Sequence, residues 1–124
     1  MAVPILKQGD VLIASIQAAL SDRDLTELRD ELADRVGRFR ARGVVIDVTA
    51  LDVLDSFAAR TIRAIAYTAK LRGAMTVVVG IQPEVAFSMV QLGLTLEGVT
   101  TALDLEEGLA LLGPAPQGGP RRGG

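Results

Sequence analysis

The sequence predicts an α/β fold with a mostly parallel sheet, an N-terminal antiparallel hairpin and about four helices. Short β-branched apolar runs alternate along the chain with longer segments whose apolar residues recur at helical spacing. A Gly9-Asp10 pair separates the first two apolar runs and indicates a hairpin turn. Hydrophobic residues make up 49% of the chain but aromatic residues only 3%, so the core must be aliphatic. The predicted order is β-β-α-β-α-β-α-β-α, with right-handed crossovers between the parallel strands.

The N-terminal half carries the hairpin, the first helix and the first buried strand. Residues 4–17 contain the two hairpin strands. Ser21-Asp22 offers a helix N-cap, and one apolar stripe follows it at helical spacing: Leu25, Leu28, Leu32, Val36 and Phe39. We expect Gly43 to end this helix, because glycine is common just past a helix C-terminus. The almost wholly apolar run 43–48 then predicts a strand covered by helices.

The C-terminal half continues the same alternation. A second helix is predicted to begin near Asp55-Ser56 and to continue to Gly73, before a buried strand over 75–80. Pro83 suits the first turn of a third helix, which Gly93 ends. Its apolar residues lie on more than one side, which is typical either of a deeply buried helix or of a contact for a partner. A last strand covers 99–103, and Asp104 caps a short helix whose leucines share one face: Leu105, Leu109 and Leu112.

The composition excludes several classes of function. The chain has no cysteine and no histidine, so nucleophile–histidine triads and thiolate metal sites are excluded, and no metal or other cofactor is expected. The net charge of −2 indicates no nucleic-acid surface. No apolar run is long enough to cross a membrane, and Lys7, Gly9 and Asp10 interrupt the N-terminal run that a signal peptide would need. We therefore expect a non-enzymatic cytoplasmic protein that binds neither nucleic acid nor membrane.

The chain is expected to form one domain followed by a short tail. Its 124 residues suit a single domain, which we assign to residues 1–112. Residues 113–124 are mostly Gly, Pro and Arg, so they cannot bury apolar surface and are expected to form a flexible tail.

Three segments share motifs with a known family. In VVIDVTALDVLDSFAAR (44–60), a buried strand ends in Asp, a short loop follows, and Asp-Ser opens the next helix, which resembles the STAS signature. GIQPEVAFSMVQLGL (80–94) and TALDLEEGLALL (101–112) resemble the stressosome branch of that family. Other anti-anti-sigma proteins usually have Asp-Ser-Ser-Gly-Leu where this chain has Asp-Ser-Phe-Ala-Ala, and R-type stressosome proteins tend to carry Thr at the position of Ser56. The resemblance covers nearly all of 3–112 and is to the short S-type (RsbS-like) scaffold and antagonist proteins.

The resemblance implies a STAS fold and a scaffold role without enzymatic activity. S-type proteins are understood to assemble with R-type STAS co-scaffold proteins, which carry an extra N-terminal sensor domain for which this chain has no room. The resulting particle sequesters a switch-protein kinase (RsbT-like). Phosphorylation of the serine that matches Ser56 releases the kinase, which then acts on a downstream phosphatase. Self-association of this chain is expected for the same reason.

Ser56 is therefore the candidate phosphorylation site. It lies where a loop becomes a helix, so we expect it to be the N-cap, which would leave its hydroxyl partly exposed. Without the resemblance, an N-cap serine needs no further role. Asp55 is a candidate for kinase recognition or for bonding the turn, and Arg60 for a phosphate or partner carboxylate or for a solvated face. The turn after the 75–80 strand should lie beside the Asp55-Ser56 loop and complete a partner-binding surface with these residues: Gly80, Ile81, Gln82 and Pro83.

Other functions remain open from the sequence alone. The chain could be a free anti-anti-sigma module that exchanges partners one to one, which the size of its complexes would distinguish from a scaffold. It could also be a small-molecule or nucleotide binder with a pocket between the two loops, although it has no Gly-rich phosphate loop. An enzyme would have to rely on carboxylates, Tyr67 and two lysines, and no acid–base pair emerges from their spacing.

Overall fold

The protein is a five-stranded mixed sheet with helices on both faces, seen in a computed structural model that describes residues 3–114. The strands are β1 (Ile5–Gln8), β2 (Val11–Ser15), β3 (Gly43–Asp47), β4 (Met75–Val79) and β5 (Thr100–Ala102). The helices are α1 (Asp22–Arg38), α2 (Ser56–Leu71), α3 (Pro83–Leu92) and α4 (Leu105–Leu112). The strands lie in the order β1-β2-β3-β4-β5, and only the β1–β2 hairpin is antiparallel. The predicted fold class is confirmed; the tail predicted for 113–124 lies almost wholly outside the described residues.

The sheet buries both of its faces, which explains why its central strands are apolar at nearly every position. Alternate residues of a strand point to opposite faces. One face, which includes Leu12, Val44 and Ile46, packs with buried residues of α1, α2 and α3. The other face, formed by Val11, Ile13, Val45, Val77 and Val79, is covered by Leu105, Leu109 and Leu112 of α4. The leucine face predicted for the last helix is thus the face that packs on the sheet.

Most helix ends follow the predicted capping signals. Ser21 caps α1 in a capping box with Asp24, Pro83 is the first residue of α3, and Asp104 caps α4. Gly93 ends α3 in the left-handed conformation.

The prediction that Gly43 ends α1 is wrong. The helix ends at Arg38, and the chain turns through Arg40, which adopts the left-handed conformation with φ 51°. The N–H of Ala41 donates to the carbonyl of Val36 at 3.0 Å, which closes the helix end in a Schellman motif. Gly43 instead begins β3, where a side chain would collide with Leu112 of α4. The glycine therefore serves the close approach of α4 to the sheet.

Candidate functional site

Ser56 lies at the carboxyl end of the parallel strands, as the first residue of α2. It is exposed, and its hydroxyl makes no hydrogen bond to any residue in the described range 3–114. The prediction that Ser56 caps the helix is wrong, because Asp55 holds that position in extended conformation. The Asp55 carboxylate accepts a hydrogen bond from the N–H of Ala58 at 2.8 Å, so the serine hydroxyl is left available.

The first turn of α2 also leaves backbone donors beside the serine. The first hydrogen bond within the helix runs from the N–H of Ala59 to the carbonyl of Asp55 at 2.9 Å. The N–H groups of Ser56 and Phe57 precede it and have no acceptor inside the helix. A phosphate on Ser56 would therefore lie at a helix end whose free donors and dipole favour an anion.

Arg60 lies one turn beyond Ser56 on the exposed side of α2. Its guanidinium is 5.7 Å from the centre of the Phe57 ring, within the range of a cation–π contact. Within the described residues it makes no ion pair or hydrogen bond. Residues four apart on a helix are neighbours, so Arg60 is within reach of a phosphate on Ser56.

The loop between β3 and α2 is fastened where it leaves the sheet. The Asp47 carboxylate accepts from the Thr49 N–H at 2.9 Å and from the Thr49 hydroxyl at 2.6 Å. Leu51 and Leu54 of the same loop are buried, whereas Asp52 and Val53 between them are exposed. The two leucines hold the loop against the core, and the exposed residues lead to Asp55 and Ser56.

The turn between β4 and α3 contacts this loop, as the sequence predicts. The Gln82 side-chain amide donates to the carbonyl of Thr49 at 2.7 Å. Gly80 has φ 82°, and a β-carbon there would collide with the Thr49 side chain and lie 3.1 Å from the Thr49 α-carbon. Ile81 is half-buried against the core, and Pro83 is exposed at the start of α3. These contacts join the turn to the start of the loop; they do not reach Ser56.

The carboxyl end of the sheet carries exposed carboxylates and exposed apolar side chains, in addition to the exposed Arg60. Asp52, Asp55 and Glu84 are all exposed at this end of the sheet. On α3, Val85 and Met89 are buried, whereas Phe87 and Val90 are 71% and 78% exposed. The two-sided apolar pattern of the third helix therefore combines a core face with an exposed face.

The site offers little room for a small ligand. The crevice beside it, lined by Leu20, Val53, Asp55 and neighbouring apolar residues, holds about 70 Å³. Pockets for organic ligands usually measure about 300–1,000 Å³. Within residues 3–114, no cluster of acidic residues could hold a metal ion. In the same range, no helix has the length and apolar character needed to cross a membrane.

The sequence of the chain matches a known family. The STAS domain family matches residues 2–108, which is most of the chain. The chain belongs to the STAS-domain family.

Among STAS proteins, the chain is similar to members of the stressosome. A serine-to-glutamate variant of RsbS from Moorella thermoacetica superposes with a TM-score of 0.76 at 37% identity, covering 89% of this chain and 93% of that one. A chain in a structure of the stressosome, described there as a signal integration and transduction hub, has a TM-score of 0.72 and 37% identity over 88% of this chain and 95% of that one. The RsbT co-antagonist protein RsbRA of Bacillus subtilis (strain 168) is 26% identical over 107 residues. That match covers 86% of this chain but only 38% of the length of RsbRA.

Sequence reasoning missed Thr49, which links the two loops. A signal for a side-chain-bonded turn is present in the sequence, because a buried strand ends in Asp47 and Thr49 lies two positions on. A carboxylate at that position can accept a hydrogen bond from the N–H two residues later. The contact of Thr49 with Gly80 and Gln82 depends on the two strand ends being neighbours, which the sequence shows only once the strand order is known.

Proposed function

We propose that this STAS protein is a stressosome-type scaffold and antagonist that holds a switch-protein kinase and releases it when Ser56 is phosphorylated. The observation that carries the proposal is an exposed serine on the first turn of α2, whose hydroxyl makes no hydrogen bond within the described residues, in a chain whose sequence is 37% identical to that of an RsbS variant. RsbRA, whose name describes a co-antagonist of RsbT, supports a kinase of the RsbT kind and an R-type co-scaffold as partners. In this proposal the protein acts in the cytoplasm without catalysing a reaction itself.

The kinase would dock over the carboxyl end of the sheet. We assign Asp55, Arg60 and the turn Gly80–Pro83 to this surface. The exposed side chain of Phe87, one turn into α3, adds apolar area of the kind that anchors protein interfaces. Exposed apolar groups at the same end of the sheet as a modifiable hydroxyl would let one docking event both bind the kinase and present the serine to it.

The switch reaction needs only the kinase and ATP. The γ-phosphoryl group of ATP passes to Oγ of Ser56, the hydroxyl gives up its proton, and ADP leaves. The phosphate adds roughly −1.5 to −2 charges at neutral pH. The charge and bulk of the phosphate are added to a surface that already carries the exposed carboxylates of Asp52, Asp55 and Glu84, and in this proposal that change displaces the docked kinase. The free N–H groups of the first turn would donate hydrogen bonds to the phosphate oxygens, so the fold survives the modification.

Kinase binding by two variants of Ser56 tests this proposal. Ser56→Ala should bind the kinase about as well as the wild type, whereas Ser56→Glu should bind it about tenfold more weakly or worse, a loss of about 1.4 kcal/mol. Gln8→Glu is the matched control, because it adds the same charge to an exposed residue at the opposite end of the sheet. Titration calorimetry measures the affinities, and circular dichroism checks that Ser56→Glu is folded.

Two results would contradict the proposal. Equal binding by Ser56→Glu and wild type would show that charge at this position does not control the kinase. An unfolded Ser56→Glu protein would show that the position supports the fold instead of a partner surface.

The size of the complex distinguishes a scaffold from a free anti-anti-sigma module. A scaffold should form a particle far larger than one copy of each partner when mixed with its R-type protein, and light scattering measures that mass directly. A one-to-one complex would support the free module.

A further inference from the structure

The end of the molecule opposite Ser56 is basic. The C-terminal ends of α1 and α2 meet there beside the start of β3, and exposed cations cluster around them: Arg38, Arg40, Lys70 and Arg72. Asp34 pairs with Arg38 at 3.0 Å, and Asp10 pairs with the half-buried Arg42 at 2.8 Å. Within the described residues, the side chains of Arg40 and Lys70 have no ion pair or hydrogen bond, and the Arg72 side chain donates only to the carbonyl of Ala33. We call this surface, formed by Arg40, Lys70 and Arg72, the basic end.

A groove runs between the two helix ends. It holds about 430 Å³ and is lined by guanidinium groups and apolar side chains: Arg40, Arg42, Arg72, Val36, Leu71 and their glycine and alanine neighbours. Across residues 3–114, no carboxylate contributes to its lining. Leu71 is 69% exposed at its rim. The groove is thus suited to a segment that carries carboxylates on either side of an apolar residue.

Helix dipoles explain part of this polarity, but they do not explain Arg40. Cations near helix C-termini offset the dipole, which accounts for Arg38 and Lys70. Arg40 lies beyond the end of α1, in a left-handed conformation that L-residues disfavour. At the corresponding position of the Schellman motif that ends α2, the chain has Gly73, with φ 90°. The left-handed conformation is therefore not the reason for an arginine at this position, which is compatible with a role of its side chain at the surface.

The carboxyl end of the same sheet provides the complementary segment. In the loop before α2, Asp52 and Asp55 flank Val53, which is 68% exposed. Glu84 adds a third exposed carboxylate at that end, and the chain has no Lys or Arg between Gly73 and Pro114. We call the surface formed by Asp52, Val53, Asp55 and Glu84 the acidic end. It lies beyond one end of β3 while the basic end lies beyond the other, so one molecule cannot bring the two together.

We propose that the basic end of one copy docks onto the acidic end of a second copy. Arg40 and Arg72 contact the carboxylates, and the apolar rim at Leu71 receives Val53. This head-to-tail contact leaves one free end of each kind on every dimer, so it generates rings or longer assemblies. The inference deepens the scaffold part of the proposed function. Because the contact occupies the end of the sheet proposed for the kinase, only a copy whose acidic end is free can hold the kinase. Its test uses this chain alone, without kinase or ATP, so its failure would leave the Ser56 proposal untouched.

Single charge reversals and their mixture test the contact by sedimentation velocity. The wild type should form dimers and larger species as its concentration rises at low ionic strength, and these should dissociate in about 1 M salt, where the Debye length is about 3 Å. Arg40→Glu and Asp52→Arg should each remain monomeric. An equimolar mixture of the two variants should form a dimer and nothing larger, because each variant retains the end that the other lacks.

Two further variants separate binding from folding. Arg29→Glu makes the same charge change in the middle of α1, away from both ends, and should associate like the wild type, since Arg29 is exposed and within the described residues its side chain pairs only with Asp30. Arg40→Gly should raise the melting temperature by about 4 °C because it relieves the left-handed arginine, yet it should weaken association.

Several outcomes would overturn the inference. A wild type that stays monomeric at low salt would do so, as would association that survives Arg40→Glu or Asp52→Arg. A mixture of the two variants that stays monomeric would exclude the head-to-tail geometry.

Discussion

At the scale of single residues, two neighbouring side chains have different roles at the start of α2. Asp55 holds the helix end, with its carboxylate 2.8 Å from the Ala58 N–H, and Ser56 presents a hydroxyl that the fold does not use. The sequence could predict the helix start but not this division, because Asp and Ser are equally good N-caps. Which of the two residues caps the helix depends on the path of the loop. That path is fixed by the burial of Leu51 and Leu54 in the core.

Removal of the Asp55 cap should destabilise the protein. Asp55→Ala is expected to lower the free energy of unfolding by about 1 kcal/mol, because the Ala58 N–H loses its acceptor. Asp55→Asn should retain most of the stability, since its side-chain oxygen can still cap. Asp52→Ala, which removes an exposed carboxylate without a hydrogen bond in the described range, is the control and should change stability by less than about 0.5 kcal/mol. Urea unfolding measures the stability of all three variants. An Asp55→Ala variant as stable as the wild type would contradict the assigned cap.

Gly80 should be the least replaceable glycine of the site. Gly80→Ala is expected to cost about 2–4 kcal/mol, because it combines a left-handed backbone with a collision against Thr49. Gly98→Ala is the matched control: Gly98 has nearly the same φ, 79°, but no atom within 4 Å of an added β-carbon. That control should cost about 1 kcal/mol, so the difference between the two variants measures the close approach of the loops. Equal losses would mean that Thr49 moves aside freely.

At the scale of elements, the sequence predicted the structure best where a local signal decides it. Ser21, Pro83, Gly93 and Asp104 mark helix ends through their own backbone and side-chain chemistry, and all are confirmed. Gly43 was misinterpreted because its reason is tertiary. Only the packing of Leu112 against β3 shows why a glycine is needed there. The exposed face of α3 likewise could not be told from a second core face until the positions of the neighbouring elements were known.

The contact between α4 and the sheet provides a test at this scale. Gly108 is buried, and a β-carbon there would lie 2.6 Å from Cγ1 of Val79. Gly108→Ala should lower stability by about 1–3 kcal/mol through overpacking, despite alanine's better helix propensity. Adding Val79→Ala should offset part of the Gly108→Ala loss, which a double-mutant cycle in urea would detect as a favourable coupling. Additive effects would show that α4 does not pack as described.

At the scale of the whole molecule, the fold separates the exposed residues of the candidate site from the apolar core. The exposed loop residues, the first turn of α2 and the start of α3 share the carboxyl end of the sheet, while the apolar core lies between the sheet and the helices. Charge added at Ser56 should therefore act at the exposed surface and leave the core unchanged. The sequence predicts this arrangement through the parallel strand order, because loops at the carboxyl ends of such strands become neighbours.

The central claim is that Ser56 is the phosphorylated switch, and intact-mass analysis after incubation with ATP and the organism's switch-protein kinase tests it most directly. We predict that the wild type gains one phosphate, that Ser88→Ala, which removes another exposed helical serine, also gains one, and that Ser56→Ala gains none. With a kinase shown to be active, an unmodified wild type, or a Ser56→Ala protein that still gains the phosphate, would contradict the account.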